Sequence, residues 1–312
     1  MKKSTILLTV FLVISTGSLT AQVAINTDGS SANTSAMLDV KSDTSGILIP
    51  RLTKAQRLAI SSPATGLMIY QNDYSDGFWY YDGDAWQKVA SATNMLSVIE
   101  ALQNGVRDVM GNHYETVLIG KQIWMAENLV TTQYNDGTDI PLVTDNGTWK
   151  FMTSPAYCWF DNDSATYAPD YGALYNWYTV NTGNLCPSGW HVPTDDEWKT
   201  MERHLGMTQA QADATQWRGT DEGGKLKETG TVHWESPNTG ATNETGFTAL
   251  AGGTRGYNGS FGEFGVSAGW WSATAVPIGF AWTRRLGKSE KRVHRTDSYS
   301  IRYGFSVRCV KN

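Results

Sequence analysis

Three cysteines, a late run of arginines and lysines, and an excess of tryptophan are the features of this chain that could do chemistry. Cys158, Cys186 and Cys309 allow one disulfide and one leftover thiol, in three pairings. A Cys186–Cys309 bridge is the pairing expected; a 158–186 link, or three buried thiols behaving as small apolar residues, are the alternatives. Cys158 lies between aromatics in Ala156-Tyr-Cys-Trp159, where burial would raise its pKa and leave it inert. The five histidines, His113, His191, His204, His233 and His294, lack the spacing of a His-Glu-x-x-His metal site and read as structural or solvated. No P-loop is present, and no nucleophile elbow is expected. The expectation is a protein that is not an enzyme.

Binding chemistry has more to work with. Asp161-Asn162-Asp163 and Asn243-Glu244 offer oxygens, but calcium wants about six to eight, and nothing in the spacing joins the two clusters. Ordinary turns explain them better, so no metal and no cofactor are expected. Residues 284–308 carry Arg284, Arg285, Lys288, Lys291, Arg292, Arg295, Arg302 and Arg308 against Glu290 and Asp297, which is +6 within a chain of −5. That run is either a solvated hairpin or an anion-attracting patch suited to an acidic polysaccharide or acidic protein surface. The 13 tryptophans outnumber the 9 phenylalanines. They could stack on sugars or build a core; for Trp124, Trp177, Trp190, Trp198, Trp270 and Trp271 the core is the better reading. Tyr257, Phe261 and Phe264, in a glycine-rich loop, are expected as exposed contacts, with Trp282 and Tyr299 beside them. The candidate ligand set is therefore Tyr257, Phe261, Phe264, Trp282, Arg284, Arg292, Arg295 and Tyr299.

These residues must be held by something, and 312 residues at ~150 per domain suggest two domains. Apolar content of 40% suffices to bury a core. A net charge of −5 gives no support to a nucleic-acid binder. Lys2 and Lys3, the apolar stretch Ile6 to Ile14 and the small residues up to Ala21 have the layout of a secretory signal peptide cleaved after Ala21. Beyond it no apolar run approaches the ~20 residues of a membrane-spanning helix. Export to the cell exterior or outer surface is the expected localisation, and it makes a disulfide persistent.

Residues 22–90 read as a small β-rich stalk. Its expected strands lie at Ala36–Val40, Gly46–Ile49, Gly66–Tyr70, Gly77–Tyr81 and Ala85–Val89, and Thr53 is expected to cap a helix over Arg51–Ile60. So little core implies association with copies of itself or with a neighbour. Over residues 91–107, Met95, Ile99, Leu102 and Val106 have coiled-coil spacing; the alternative is a linker helix lying on a flanking domain. Residues 108–312 form one α+β unit. Thr194 with Glu197 is a capping box opening a helix whose face is Trp198, Met201, His204 and Leu205, ended by Gly206. Strands are expected at His113–Ile119, Gln122–Met125, Phe247–Leu250, Trp270–Ala273, Ala281–Leu286 and Tyr303–Cys309, with long loops that are usually functional.

Six blocks occur in order in this unit: Trp124-Met-Ala-Glu-Asn-Leu129, Tyr171-Gly-Ala-Leu-Tyr-Asn-Trp177, Cys186-Pro-Ser-Gly-Trp-His-Val-Pro-Thr194, Gly246-Phe-Thr-Ala-Leu250, Trp270-Trp-Ser-Ala-Thr274 and Arg302-Tyr-Gly-Phe-Ser-Val-Arg-Cys-Val310. Together they resemble the Fibrobacter succinogenes major paralogous domain, exported proteins abundant in Bacteroidetes. The resemblance covers residues 108–312. It implies a C-type-lectin-like fold, a looped antiparallel sheet with one or two helices whose chain ends meet, related to formylglycine-generating enzymes. It also implies that Cys186–Cys309 clasps the closing strand to the first helix. The formylglycine-type reaction needs a pair of reactive cysteines, which a 186–309 clasp would not leave. In the N-terminal region, Val23-Ala-Ile-Asn26, Met37-Leu-Asp-Val40, Gly46-Ile-Leu-Ile-Pro-Arg51 and Thr65-Gly-Leu-Met-Ile-Tyr70 resemble head segments of Bacteroidetes surface and tail-fibre-like proteins.

These readings converge on an exported, oligomeric, non-catalytic protein that recognises a glycan or protein partner through loops around 254–268 and 287–302. A structural subunit of a surface fibre or envelope is the rival, and a formylglycine-generating-like oxidase the third reading.

Overall fold

The computed structural model of the chain describes residues 22–73, 76–89, 92–277 and 279–312, with side chains described from Val98 onward in the helix that begins at Ala92. The expected signal peptide and the Met95 side chain of the seam lie outside the described residues. The chain divides into two compact units, Met1–Ala90 and Ser91–Asn312.

In the first unit β1 (Val23–Ile25) and β2 (Leu38–Val40) pair in parallel. A second sheet runs β3 (Arg51–Leu52), β4 (Met68–Gln71), β5 (Gly77–Tyr81), β6 (Trp86–Lys88), with α1 (Lys54–Leu58) between β3 and β4. Thr53 caps α1: its hydroxyl accepts from the Gln56 N–H at 3.2 Å while Gln56 Oε1 accepts from the Thr53 N–H at 2.9 Å. The helix is shorter than expected because Arg51 is taken by β3, and Gly46–Ile49 forms no strand. The centre of this unit is an arginine. Arg57 lies 3.9 Å from the Trp79 ring centroid and donates to Gln71 Oε1 at 2.9 Å, beside the buried Ile69. Such a core hides little apolar surface, and Ile47, Leu48, Met68 and Phe78 stay exposed.

The second unit opens with α2 (Ala92–Asn104), followed by the short pair β7 (Val106–Arg107) and β8 (His113–Tyr114). The buried Ala101 accepts through its carbonyl from Thr116 Oγ1 at 2.6 Å, so the end of α2 rests on this unit. Ile99 and Leu102 of the expected seam are left 44% and 38% exposed. Then come β9 (Thr116–Ile119), β10 (Gln122–Met125), α3 (Asn146–Lys150), β11 (Tyr157–Cys158), α4 (Ser164–Tyr171), β12 (Leu174–Tyr175), α5 (Trp177–Val180), β13 (Trp190–His191) and α6 (Asp195–His204). After α7 (Gln209–Asp213), β14 (Gln216–Arg218) and α8 (Glu222–Leu226), the strands β15 (Gly252–Arg255), β16 (Phe261–Phe264), β17 (Ser267–Val276), β18 (Phe280–Gly287), β19 (Val293–Ser300) and β20 (Val310–Lys311) close the chain. The unit is mixed α+β, with more short helices than the one or two expected.

Two four-stranded sheets organise it: β13–β20–β10–β9 and β14–β19–β18–β17. The β9–β10 hairpin and the last strand, β20, share a sheet, through the Trp124–Val310 pair. Cys186 and Cys309 are bonded across 123 positions, with Cα atoms 6.0 Å apart. The bridge ties the segment before β13 to the segment before β20, strands that already pair; α6 follows one turn later. The expected strand Tyr303–Cys309 is instead a series of single bridges, Gly304 to Arg255, Phe305 to Tyr175 and Ser306 to Trp270. It threads between three different segments, so no one neighbour stays beside it long enough to make a ladder. Phe247–Leu250 likewise makes only the Lys227–Ala249 bridge.

Trp270 and Trp271 are both buried, in different clusters. Adjacent strand residues point to opposite faces, so β17 is covered on both sides. Trp124, Trp198 and Phe247 pack with Trp270, while Phe305 packs against Trp271. The capping box of α6 is present. Trp198, Met201 and Leu205 face inward, but His204 is exposed and Glu202 takes the inner position.

Candidate functional site

The sheet β14–β19–β18–β17 sorts the late arginines. Arg284 is opposite Arg295 in register, and Arg285 is opposite His294, which is in turn opposite Trp217 of β14. Alternation along the strands then sends the first pair to one face and the second to the other.

On the inner face the arginines meet α6. Arg284 donates to Asp195 Oδ1 and to Glu202 Oε1, each at 2.7 Å. Arg295 holds both oxygens of Asp195, at 2.9 and 2.7 Å, and Arg218 donates to Glu202 Oε2 at 2.6 Å. Burial pushes the Asp195 carboxyl up, but Arg295 and Arg284 outweigh it and hold the group down at about 2. Trp282 lies over the Arg295 guanidinium, 3.6 Å from ring centroid to carbon.

This arrangement corrects the expected ligand set. Arg284 and Arg295 are 1% and 6% exposed and spend donors on carboxylates inside the protein, with Trp282 covering Arg295. Arg292 pairs with Glu290 at 2.7 Å and Lys288 with Glu235 at 2.6 Å. Arg308 is buried against Phe247 and donates to Asn128 Oδ1 and to backbone carbonyls. Within the +6 run, Arg284, Arg285, Lys288 and Arg295 are thus paired with carboxylates distant in sequence, and Arg292 with its neighbour Glu290. Phe261 and Phe264 are half-buried and pack around Phe160, at 5.4 and 5.0 Å between centroids, so they build a small aromatic core. The expected recognition loops are mostly strands, since β15, β16 and β19 occupy them.

The calcium candidates serve turns. Asp161 and Asn162 have φ of 51° and 59°, and Asp163 caps α4 by accepting from the Thr166 N–H at 3.1 Å. Asn243 bonds Thr248, and Glu244 lies 3.7 Å from Lys225. Cys158 is buried, and burial pushes its thiol up to about 12.

The outer face is different. Arg285 donates to Tyr299 Oη, to Glu263 and, at 2.9 Å, to Ser267 Oγ. His294 bonds Gln216 Oε1 at 3.0 Å and meets the Trp217 ring edge-on at 4.9 Å. Burial, then the charges of Arg285 and Arg218, hold the His294 imidazole down at about 4, so it is neutral at ordinary pH. Tyr299, Tyr303 and Tyr257 form a run, with centroids 4.9 and 5.7 Å apart. Two hollows adjoin this run. One, of about 340 Å³, is lined by Trp217, Arg285, His294, Thr296, Tyr299 and Tyr303 among others. The other, of about 440 Å³, is lined by Met152, Tyr178, Tyr257, Phe280, Ile301 and Arg302 among others. Hollows also occur beside Tyr114, Glu127 and Pro169, of about 420 Å³, and beside Gly120, Gln122 and His204, of about 520 Å³. Neither of those two is lined by a tryptophan or phenylalanine.

Of the predicted residues, only Tyr257 and Tyr299 are brought together here, with Tyr303 between them. Trp217, His294, Tyr303, Tyr178 and Phe280 stand outside the expected set, and Arg302 was expected only as part of the basic run. The strand pattern of Ala281–Leu286 held one clue, because adjacent Arg284 and Arg285 must face opposite ways. No nucleophile elbow is expected, yet the string Gly265-Val-Ser-Ala-Gly269 carries its letters. Ser267 is 4% exposed within β17, not at a strand-to-helix turn, and its hydroxyl accepts from Arg285.

Two family models match the chain. One described as Fibrobacter succinogenes major domain covers residues 117–311, and one described as phage tail like trimerisation region covers residues 24–104. No curated protein and no solved structure matches.

Proposed function

The chain belongs to the Fibrobacter succinogenes major domain family, and from that membership we propose that it is an exported, non-catalytic binding protein displayed in several copies. The N-terminal unit and α2 hold the copies together, and a C-type-lectin-like head recognises a glycan or protein partner. The observation that carries the reading is the outer face of the β14–β19–β18–β17 sheet. There Trp217, Tyr299, Tyr303 and the 48%-exposed Tyr257 line adjoining hollows, while the opposite face of the same sheet is sealed by its own ion pairs. Partly exposed rings with polar groups beside them suit recognition, since aromatic surface gains from being covered.

Multivalency is supported by the trimerisation-region match and by the exposed Ile47, Leu48, Phe78, Ile99 and Leu102. Export is supported by the Cys186–Cys309 bond, together with the signal-like N-terminus. The non-catalytic reading is supported by the same bond and by the sealed Cys158, which together leave no pair of reactive thiols for an oxidase.

A screen of the full chain against glycan and surface-protein arrays tests the reading. Capture that is lost in Tyr257→Ala and Tyr299→Ala is expected; capture unchanged in both would remove this face from the mechanism. The second reading, a fibre subunit, is favoured by the exposed apolar residues of the first unit and would show as polymerisation of the full chain without any captured ligand.

A further inference from the structure

The two hollows differ in charge. In the first, Arg285 is neutralised by Glu263. In the second, no carboxylate is among the lining residues, and among the described residues Arg302 has no acidic partner. Its guanidinium donates to the Lys150 carbonyl at 2.7 Å, which anchors the group and leaves other N–H donors. The Arg302 carbonyl accepts from Trp149 Nε1 at 2.8 Å, so the backbone is held from the other side by a fully buried indole. Tyr257 is 48% and Phe280 38% exposed, presenting two aromatic surfaces to the cleft, and Phe280 lies opposite Ser300 in register.

We propose that this cleft binds a carboxylated sugar unit, its ring against Tyr257 and Phe280 and its carboxylate on Arg302. The proposal rests on the reading of this face as the recognition surface and names the ligand class for it. A pyranose has a C–H face that packs on an aromatic ring and an edge of hydroxyls that needs donors and acceptors, here Ser300 and Thr153. A uronic acid adds a planar carboxylate, which a guanidinium fork holds by two parallel hydrogen bonds. The cleft volume of about 440 Å³ falls in the ~300–1,000 Å³ usual for small-ligand sites. A neutral sugar would leave the Arg302 charge without a counterion in a partly dehydrated cleft, which disfavours it.

The test is calorimetric titration of the full chain with tetragalacturonate and with its methyl ester, which keeps length and shape but removes the charge. The acid is expected to bind at least about tenfold tighter than the ester, with the difference shrinking as salt is raised from low to high concentration. Arg302→Gln should abolish the difference, Arg302→Lys should keep part of it, and Tyr257→Ala or Phe280→Ala should weaken both ligands. Should Arg302→Gln fail to fold, the lysine and phenylalanine variants carry the test. Equal binding of acid and ester, binding unchanged in the Arg302 variants, or no binding of either would overturn the proposal. Array capture that Tyr257→Ala still abolishes would then show the face to be right and the ligand class wrong; capture insensitive to Tyr257 and Tyr299 would sink the reading beneath it.

Discussion

Arg284 and Arg285 are neighbours on one strand and face opposite sides of the sheet. Arg284 closes on Asp195 and Glu202 at 2.7 Å inside the protein, whereas Arg285 bonds Tyr299 and Glu263 on the outer face. One of the two is a structural counterion and the other lies on the face proposed for recognition, so their substitutions should read out differently.

Removing Asp195 strands the buried Arg295 guanidinium, while Arg284 keeps only Glu202 among carboxylates. Asp195→Ala should lower unfolding free energy by about 3–5 kcal/mol, because a buried charge left without its partner is costly. Arg285→Gln, whose partner Glu263 is exposed, should cost about 1 kcal/mol or less. Urea titrations followed by tryptophan fluorescence would settle it, and similar midpoints for the two variants would contradict the assignment. The Asp195 carboxyl is held at about 2, below its ordinary 3.8, so its contribution is present above pH ~4 and is lost as pH falls towards 2. Asp195→Asn should therefore show a flatter loss of melting temperature across that window than the unaltered chain.

His294 works in a different range. Its folded pKa is depressed to about 4 from 6.5, so the unfolded chain binds the proton first and stability falls as pH drops from 6.5 to 4. The His294 imidazole resonances should not titrate until about pH 4, as judged by NMR, and His294→Gln should weaken the fall of melting temperature between pH 6.5 and 4. A titration midpoint near 6.5 would mean the ring is solvated.

The disulfide closes a span of 123 positions. Replacing Cys186 and Cys309 together by serine should lower stability by about 4–5 kcal/mol on the chain-entropy estimate. With the bond intact, iodoacetamide should label no thiol in the folded chain and Cys158 alone after denaturation, by peptide mass mapping. Labelling of Cys158 under native conditions would show that its pocket opens.

The exposed Ile99 and Leu102 should be covered when copies associate. Analytical ultracentrifugation of the full chain is expected to give three copies, as the trimerisation-region match implies, and Ile99→Asp with Leu102→Asp should shift the sedimenting species towards monomer. An unchanged distribution would place the contacts in the first unit instead, around Leu48 and Phe78.

What was legible in the sequence is what depends on residues a few positions apart. Thr194 and Glu197 announce their capping box because both partners lie within one helical turn. The strands Gln122–Met125 and Gly77–Tyr81 announce themselves by composition and by their turn residues. Tryptophans 124, 177, 190, 198, 270 and 271 declare a core by size alone, and ordered blocks along the chain declare the family. What only the tertiary structure decided depends on distant partners. Asp195 reads locally as a residue suited to a helix N-terminus; its role as counterion is set by arginines 89 and 100 positions away. The basic run looks like an exposed patch because the carboxylates that pair with Arg284, Arg285, Lys288 and Arg295 lie elsewhere in the chain. Likewise, Tyr257 and Arg302 share a cleft only because the segment after β15 and the turn after β19 converge beside Phe280. Charge and exposure are properties of a surface, and a surface exists only after the chain has folded.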